Sequence, residues 1–352
     1  MTSDFTKMLL HWNKLRNFRK MPWKGESDPY KIWLSEIILQ QTRVEQGWAY
    51  YELFIRQFPT IDKLAKARED QVFKLWEGLG YYNRCKNLIH TAKKISLEYK
   101  GKFPHTYEEI RNLKGIGPYT AAAICSFAFK LPYAVVDGNV ERVLSRYFAI
   151  NTPVDQAEGK KLYSQIATNL LDKIEPGIYN QAIMDFGAMI CKPKNPLCGE
   201  CLFADDCQAH RLGLTQTLPV KSKKIVKKQR WFNYFIIGEG KDVLVRKRGE
   251  NDIWANLFEF MLIETKNPIS ISEENEEQFL KQHFGKKSID ILRSSKEYKQ
   301  ELTHQTVYIK FFHFTNLPVE STVGYKRVNW KDLKDYAFPK PIAAYIRQEA
   351  KT

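Results

Sequence analysis

Cys191-Lys192-Pro193-Lys194-Asn195-Pro196-Leu197-Cys198-Gly199-Glu200-Cys201-Leu202-Phe203-Ala204-Asp205-Asp206-Cys207 places four thiols within 17 residues, in the spacing Cys-x6-Cys-x2-Cys-x5-Cys. Four thiolates this close can converge on one centre, as tetrahedral zinc or an iron-sulfur cluster requires. Zinc ribbons usually set two close cysteine pairs farther apart, and only Cys198 and Cys201 form a close pair here. The clustering argues against a disulfide framework. The remaining cysteines, Cys85 and Cys125, sit inside helical patterns and read as small core residues.

Upstream of this loop, apolar positions recur at helical spacing. They run through Phe5, Met8, Leu9, Trp12 and Leu15, then across 30–46, 48–58, 69–80, 86–99, 118–129, 139–149 and 159–170. Turn signals such as Gly78-Leu79-Gly80 separate them. This predicts an all-α first domain over 1–214. The pattern then changes: 215–229, with the start of the basic string Lys221 to Arg230, reads as an exposed linker able to grip DNA or simply to be solvated. Strand signals follow at Trp231 to Ile237, Asp242 to Arg246 and Thr306 to Phe314, with helical patterns at 273–284 and 340–349. The second domain, 230–352, is therefore expected to be α+β.

A chain of 352 residues accommodates two such domains. Its net charge of +15 suits a polyanionic partner, because phosphate neutralisation releases condensed counterions. No stretch approaches the roughly 18 apolar residues of a membrane span. The N-terminus lacks the basic and apolar regions of a secretory signal, so a cytosolic protein is expected.

Leu113-Lys114-Gly115-Ile116-Gly117-Pro118-Tyr119-Thr120 lies between two helical patterns. Gly115 and Gly117 permit a tight turn and close approach of a phosphate, and Pro118 suits the first position of a helix whose free N–H groups attract an anion. This is a helix-hairpin-helix arrangement. Two carboxylates stand out beside it. Glu36 lies on an apolar helix among Ile32, Trp33, Leu39 and Gln40, where desolvation raises its pKa and keeps a proton for general-acid work. Asp137 precedes the helix starting near Asn139, where the helix end favours an ionised group able to stabilise developing positive charge. The plainer alternative is an N-cap, worth about 1 kcal/mol.

Trp33-Leu34-Ser35-Glu36 with Leu39-Gln40-Gln41-Thr42, Leu79-Gly80-Tyr81-Tyr82, the glycine hairpin, Val136-Asp137-Gly138-Asn139 and the cysteine loop together resemble the MutY adenine glycosylases of the endonuclease III superfamily, over about residues 20 to 210. The resemblance implies one 4Fe-4S cluster on Cys191, Cys198, Cys201 and Cys207. It divides the first domain into a six-helix module, about 29–132, and an iron-sulfur module of 1–28 plus 133–214. It implies Glu36 as acid, Asp137 as stabiliser of an oxocarbenium ion, and Tyr119 and Asn139 as organisers. Trp23, Lys24 and Gln181 would line the adenine pocket, with Lys24 where Arg is common. Gln41, Thr42, Leu79 and Tyr81 would form the wedge entering the vacated stack, while Gly115 and Gly117 grip the backbone.

Tyr119 stands where related lyases carry the Schiff-base Lys, which implies base removal without strand cleavage. Ile253 to Phe260 and Leu302-Thr303-His304 resemble a MutT-like (Nudix-like) domain. No Glu-rich hydrolase helix accompanies them, so Thr303 and His304 would probe the oxidised guanine opposite adenine. The implied substrate is duplex DNA with an A:8-oxoguanine or A:G mispair, and the implied protein a monomeric, bacterial, nucleoid-associated one. A glycosylase-lyase for oxidised pyrimidines and a non-catalytic iron-sulfur redox regulator are the competing readings. Tyr119 opposes the first, and the pairing of Glu36 with Asp137 opposes the second.

Overall fold

The computed structural model describes residues 2–222, 226–239, 241–269, 291–315 and 323–350. The helix expected over 273–284 lies outside them. The chain forms two compact units: Met1–Ala67 with Lys86–Lys223, and Arg68–Cys85 with Lys224–Thr352.

The first unit is helical. In chain order the helices are α1 (Thr2–Arg16), α2 (Pro29–Leu39), α3 (Val44–Gln57), α4 (Ile61–Lys66), α5 (Glu69–Trp76, which belongs to the second unit), α6 (Asn83–Glu98), α7 (Tyr107–Arg111), α8 (Pro118–Phe129), α9 (Gly138–Tyr147), α10 (Ala157–Leu170), α11 (Pro176–Met189) and α12 (Gln208–Arg211). α2 starts at Asp28, whose side chain accepts from Tyr30 N at 2.9 Å, with Pro29 in the first turn. The continuous helical pattern expected over 30–46 is in fact two helices, because Gln41 takes a left-handed conformation (φ 56°). The apolar spacing runs on across the break because Leu39 packs against Gly47 of α3; a Cβ on Gly47 would lie 2.9 Å from Leu39 Cδ2.

Helix α11 was not anticipated. Every residue from Ala182 to Gly187 is buried, so no polar face marks the helical period. Its Tyr179 and Phe186 join Phe5, Leu9 and Trp12 of α1 and Val140, Val143 and Leu144 of α9 in one core. Phe203, from the cysteine loop, stacks on Phe5 at 4.4 Å and meets Phe186 edge-on at 5.2 Å. The loop is thus anchored by an apolar plug. Cys85 and Cys125 are fully buried, as expected of core residues.

The second unit holds an eight-stranded sheet with the path β3-β2-β1-β7-β5; β4 also pairs with β1, β6 with β7 and β8 with β2. The strands are β1 (Lys228–Glu239), β2 (Asp242–Lys247), β3 (Phe258–Glu259), β4 (Met261–Thr265), β5 (Ile291–Ser294), β6 (Tyr298–Glu301), β7 (Gln305–Thr315) and β8 (Lys326–Asn329). β1 and β7 run parallel from Lys228↔Gln305 to Gly238↔Thr315. Phe311 stacks on Tyr345 of the C-terminal helix Lys340–Glu349 at 3.9 Å, while the next residue, Phe312, stacks on Phe235 at 5.2 Å. Consecutive side chains point to opposite faces, so β7 is covered on both.

Within the stretch read as linker, Leu218 is buried and its carbonyl accepts from Arg146 Nε at 3.1 Å. Ser222 bonds Asp155. At the far end of the basic string Arg230 is buried and paired to Asp252 and Glu264, at 2.7 and 2.6 Å. Those guanidinium donors are committed within the second unit.

Candidate active site

Glu36 lies on the buried stretch Ile32–Ile38 of α2 and is 6% exposed. Burial pushes its pKa up to about 7, helped by the negative field of Asp137 and opposed by a hydrogen bond from the Tyr119 hydroxyl. Tyr119 belongs to the first turn of α8, and its hydroxyl also lies 3.7 Å from Met184 Sδ of α11. Burial and two neighbouring carboxylates push its phenol far up, so it stays a neutral donor. α8 reaches this place because Gly115 (φ 81°) makes the turn before it. A Cβ there would come within 2.7 Å of Asn87 Cβ, while one on Gly117 would meet nothing, so the hairpin's outer face is open.

Asp137 is indeed the N-cap of α9: its Oδ1 accepts from Asn139 N at 2.9 Å and Val140 N at 2.8 Å. The helix end was expected to favour the ionised form. Those hydrogen bonds do, but burial outweighs them and the net shift is upward. Capping and proximity to Glu36 coexist in the same side chain. Asn139 Nδ2 donates to Asp137 Oδ2 at 2.6 Å, and its Oδ1 accepts from Arg142 Nη2 at 2.9 Å. Arg142 also donates to the carbonyls of Gly187 and Cys191, each at 2.7 Å.

One turn on, Arg146 is 2% exposed and donates to Cys191 Sγ (3.4 Å) and to the carbonyls of Lys192 (2.7 Å) and Pro193 (3.1 Å). The two arginines of α9 therefore brace the Asp137–Asn139 turn and the cysteine loop on one helix. Sequence reading missed both, although a buried-face Arg at each end of Arg142-Val143-Leu144-Ser145-Arg146 was a signal that carbonyls or charge awaited them.

Cys191, Cys198, Cys201 and Cys207 line one cavity together with Arg146 and Pro196. Among the described residues no three ligand side chains converge as on a single metal ion. Four thiols around one cavity supply the donor set that an iron-sulfur cluster needs.

Two of the three residues expected to line the base pocket, Lys24 and Gln181, meet on a carboxylate that sequence reading also missed. Asp185 of α11 is fully buried and accepts from Lys24 Nζ (2.9 Å), Gln181 Nε2 (3.0 Å), Arg19 Nη1 (2.9 Å) and Asn17 Nδ2 (2.9 Å). Trp23 is 8% exposed and packs edge-on to Tyr51 at 5.4 Å. On the same helix Asn180 accepts from Val135 N (3.1 Å) and donates to Tyr133 O (2.9 Å), pinning the irregular segment that leads to Asp137. A Cβ on Gly187 would lie 2.8 Å from Asn139 Cβ.

The residues expected to touch DNA are distributed unevenly. In the first unit Gln41 is exposed in its left-handed turn, with Thr42 half-buried beside it. In the second unit Leu79 is buried while Tyr81 is 47% exposed with φ 49°. The Tyr81 ring lies 5.3 Å from the Arg84 guanidinium, and its hydroxyl is 2.9 Å from Thr303 Oγ1. Thr303 and His304 occupy the tip of a turn closed by Leu302 N to Gln305 O at 2.9 Å.

A family model for HhH-GPD superfamily base excision DNA repair proteins matches residues 34–167. One for the iron-sulfur binding domain of endonuclease III matches 191–207, and one for the NUDIX domain matches 233–348. Helical fold, hairpin and cysteine loop define an iron-sulfur DNA glycosylase carrying a NUDIX-like domain. The chain is 35% identical over 359 residues to the adenine DNA glycosylase of Buchnera aphidicola subsp. Schizaphis graminum, with 96% of each covered. It is 37% identical over 312 residues to that of Buchnera aphidicola subsp. Baizongia pistaciae, covering 88% of this chain and 85% of the relative.

This chain belongs to the adenine DNA glycosylase family, acts in base excision repair, and holds a 4Fe-4S cluster through its four clustered cysteines. A thermostable thymine-DNA glycosylase superposes with a TM-score of 0.56 at 28% identity, over 60% of this chain and 97% of its own. An endonuclease III in a DNA complex gives 0.52 at 19%, over 61% and 98%, a likeness of fold alone. No helix among the described residues is long and apolar enough to cross a membrane.

Proposed function

We propose that this enzyme removes adenine mispaired with 8-oxoguanine or guanine by hydrolysis alone, with Glu36 as general acid and Asp137 as stabiliser of the sugar cation. The observation that carries the reading is a buried carboxyl on an apolar helix, with the Tyr119 hydroxyl donating to it and Asp137 close by, where burial pushes its pKa up to about 7. Protonated Glu36 gives its proton to N7 of the flipped base. The C1′–N9 bond then breaks with its electron pair going to the base, and adenine leaves neutral. Asp137, oriented by Asn139 and the α9 N–H groups, faces the positive charge left on the sugar. Water adds to C1′, and the Glu36 carboxylate takes the proton it releases, which restores the acid.

Tyr119 offers a neutral phenol where a lyase needs an amine, so the product is an intact abasic strand. Lys24 and Gln181, both held by Asp185, present their remaining hydrogen-bonding capacity to the base, beside Trp23. Thr303 and His304 on the NUDIX-like unit read the opposite base, and Gln41, Thr42, Leu79 and Tyr81 act where adenine has left the stack. Gly115 and Gly117 offer backbone N–H groups to a phosphate. The protein works as a cytoplasmic monomer.

Single-turnover excision from an A:8-oxoguanine duplex tests the assignment. Glu36→Gln and Asp137→Asn should each slow adenine release by roughly 10²- to 10⁴-fold with the cluster absorbance retained. Full activity in Glu36→Gln would remove the proposed acid.

A further inference from the structure

Between Phe5 and Gly25 the chain carries Lys7, Lys14, Arg16, Arg19, Lys20 and Lys24 and no carboxylate. Helix α1 ends at Arg16, and the residues that follow are held rather than loose. Asn17 and Arg19 both donate to the buried Asp185 at 2.9 Å, and Arg19 N donates to Asn17 Oδ1 at 3.2 Å. With both neighbours tied inward, Phe18 is turned out and 79% exposed, between the exposed Arg16 and Lys20. Leu15, near the end of α1, is also 52% exposed. An aromatic ring on a braced loop adds little to the core, yet it loses little freedom when something stacks on it.

What should stack there follows from charge and from place. A segment with six cations and no acid fits a polyanion. Asp185, which fixes the two neighbours of Phe18, also fixes Lys24 and Gln181 of the proposed adenine pocket. When a base is flipped, the adjoining nucleotides lose a stacking neighbour and expose their π-faces. We propose that Phe18 is a stacking platform for the adenine-bearing strand beside the flipped nucleotide, with Arg16 and Lys20 meeting its phosphates. The proposal rests on adenine excision as the reaction of this pocket.

The test uses the full-length, cluster-loaded enzyme and a duplex in which 2′-fluoro-2′-deoxyadenosine, whose sugar resists cation formation, stands opposite 8-oxoguanine. Phe18→Ala should weaken binding by roughly 5- to 150-fold, the range for losing one base-aromatic stack. Phe18→Trp should bind at least as well as the original. The loss should fall on Kd and KM more than on the rate at saturating enzyme. In Lys20→Ala the slope of log K against log salt should fall by about 0.9, whereas in Phe18→Ala it should hold. Because Phe18 and Lys20 are exposed, the original and its three variants should share one unfolding midpoint.

Wild-type affinity in Phe18→Ala would overturn the platform, and so would equal losses in Ala and Trp. So would a defect seen only when a second protein is added, which would assign the patch to a protein partner. None of these results would disturb adenine release by the original enzyme, which tests the reaction itself.

Discussion

A carboxyl on the buried stretch Ile32–Ile38 of α2 keeps its proton to about pH 7 because ionising it there means stranding charge away from water and near Asp137. As the proposed acid it must be protonated, so kcat/KM for adenine release should fall about tenfold per pH unit once pH rises past 7. A profile flat from pH 6 to 9 would count against Glu36. The same group has a cost in stability. Its folded-state pKa lies above the ordinary 4.5, so its favourable contribution is present below pH 4.5 and is lost as pH rises through 7, up to about 3 kcal/mol. Glu36→Gln should therefore melt higher than the original protein at pH 8 and by a smaller margin at pH 5, in parallel thermal scans. Glu36 was legible in the sequence because an acid inside an apolar helical run is conspicuous. Asp185 was not, since its partners Arg19 and Lys24 lie more than 160 residues away and its own helix shows no polar face.

At the scale of elements, α11 and α9 do most of the positioning. α11 supplies Asn180, Gln181, Met184, Asp185 and the bare surface of Gly187, and α9 begins at Asp137 and carries Arg142 and Arg146. Two substitutions separate positioning from folding. Gly187→Ala drives a methyl into Asn139 and should lower the single-turnover rate at least tenfold while binding of the fluorinated duplex changes little. Arg142→Gln breaks the ties to Asn139 Oδ1 and Cys191 O. It should slow chemistry with the iron content unchanged, measured by absorbance near 400 nm. Iron loss in step with activity would instead make Arg142 a prop of the cysteine loop. The hairpin and the cysteine spacing were readable because turn chemistry and thiol spacing are local signals. The break at Gln41 and the existence of α11 were not, because packing across helices, rather than local preference, decides both.

For the whole molecule, the division into a helical unit and a sheet unit was visible as a change of period after Cys207. The inclusion of Arg68–Cys85 in the second unit was not, since α5 reads as one more amphipathic helix. In that unit Lys74 Nζ donates to Tyr336 O at 2.9 Å, and Phe338 N to Glu77 Oε1 at the same distance. Tyr81 and Thr303 meet there too, so opposite-base reading should depend on the turn at 302–305. Thr303→Ala with His304→Ala should narrow the preference for A:8-oxoguanine over A:G, read as the ratio of kcat/KM values, with the A:G rate nearly unchanged. Equal losses on both substrates would deny the turn a reading role. The claim on which all of this depends is adenine removal by hydrolysis without a lyase step. Incubating the enzyme with duplexes containing A opposite 8-oxoguanine, A opposite G, or thymine glycol, and comparing strand breaks with and without alkali, tests it directly. The expected result is breaks at the adenine position only, and only after alkali; breaks at thymine glycol without alkali would contradict it.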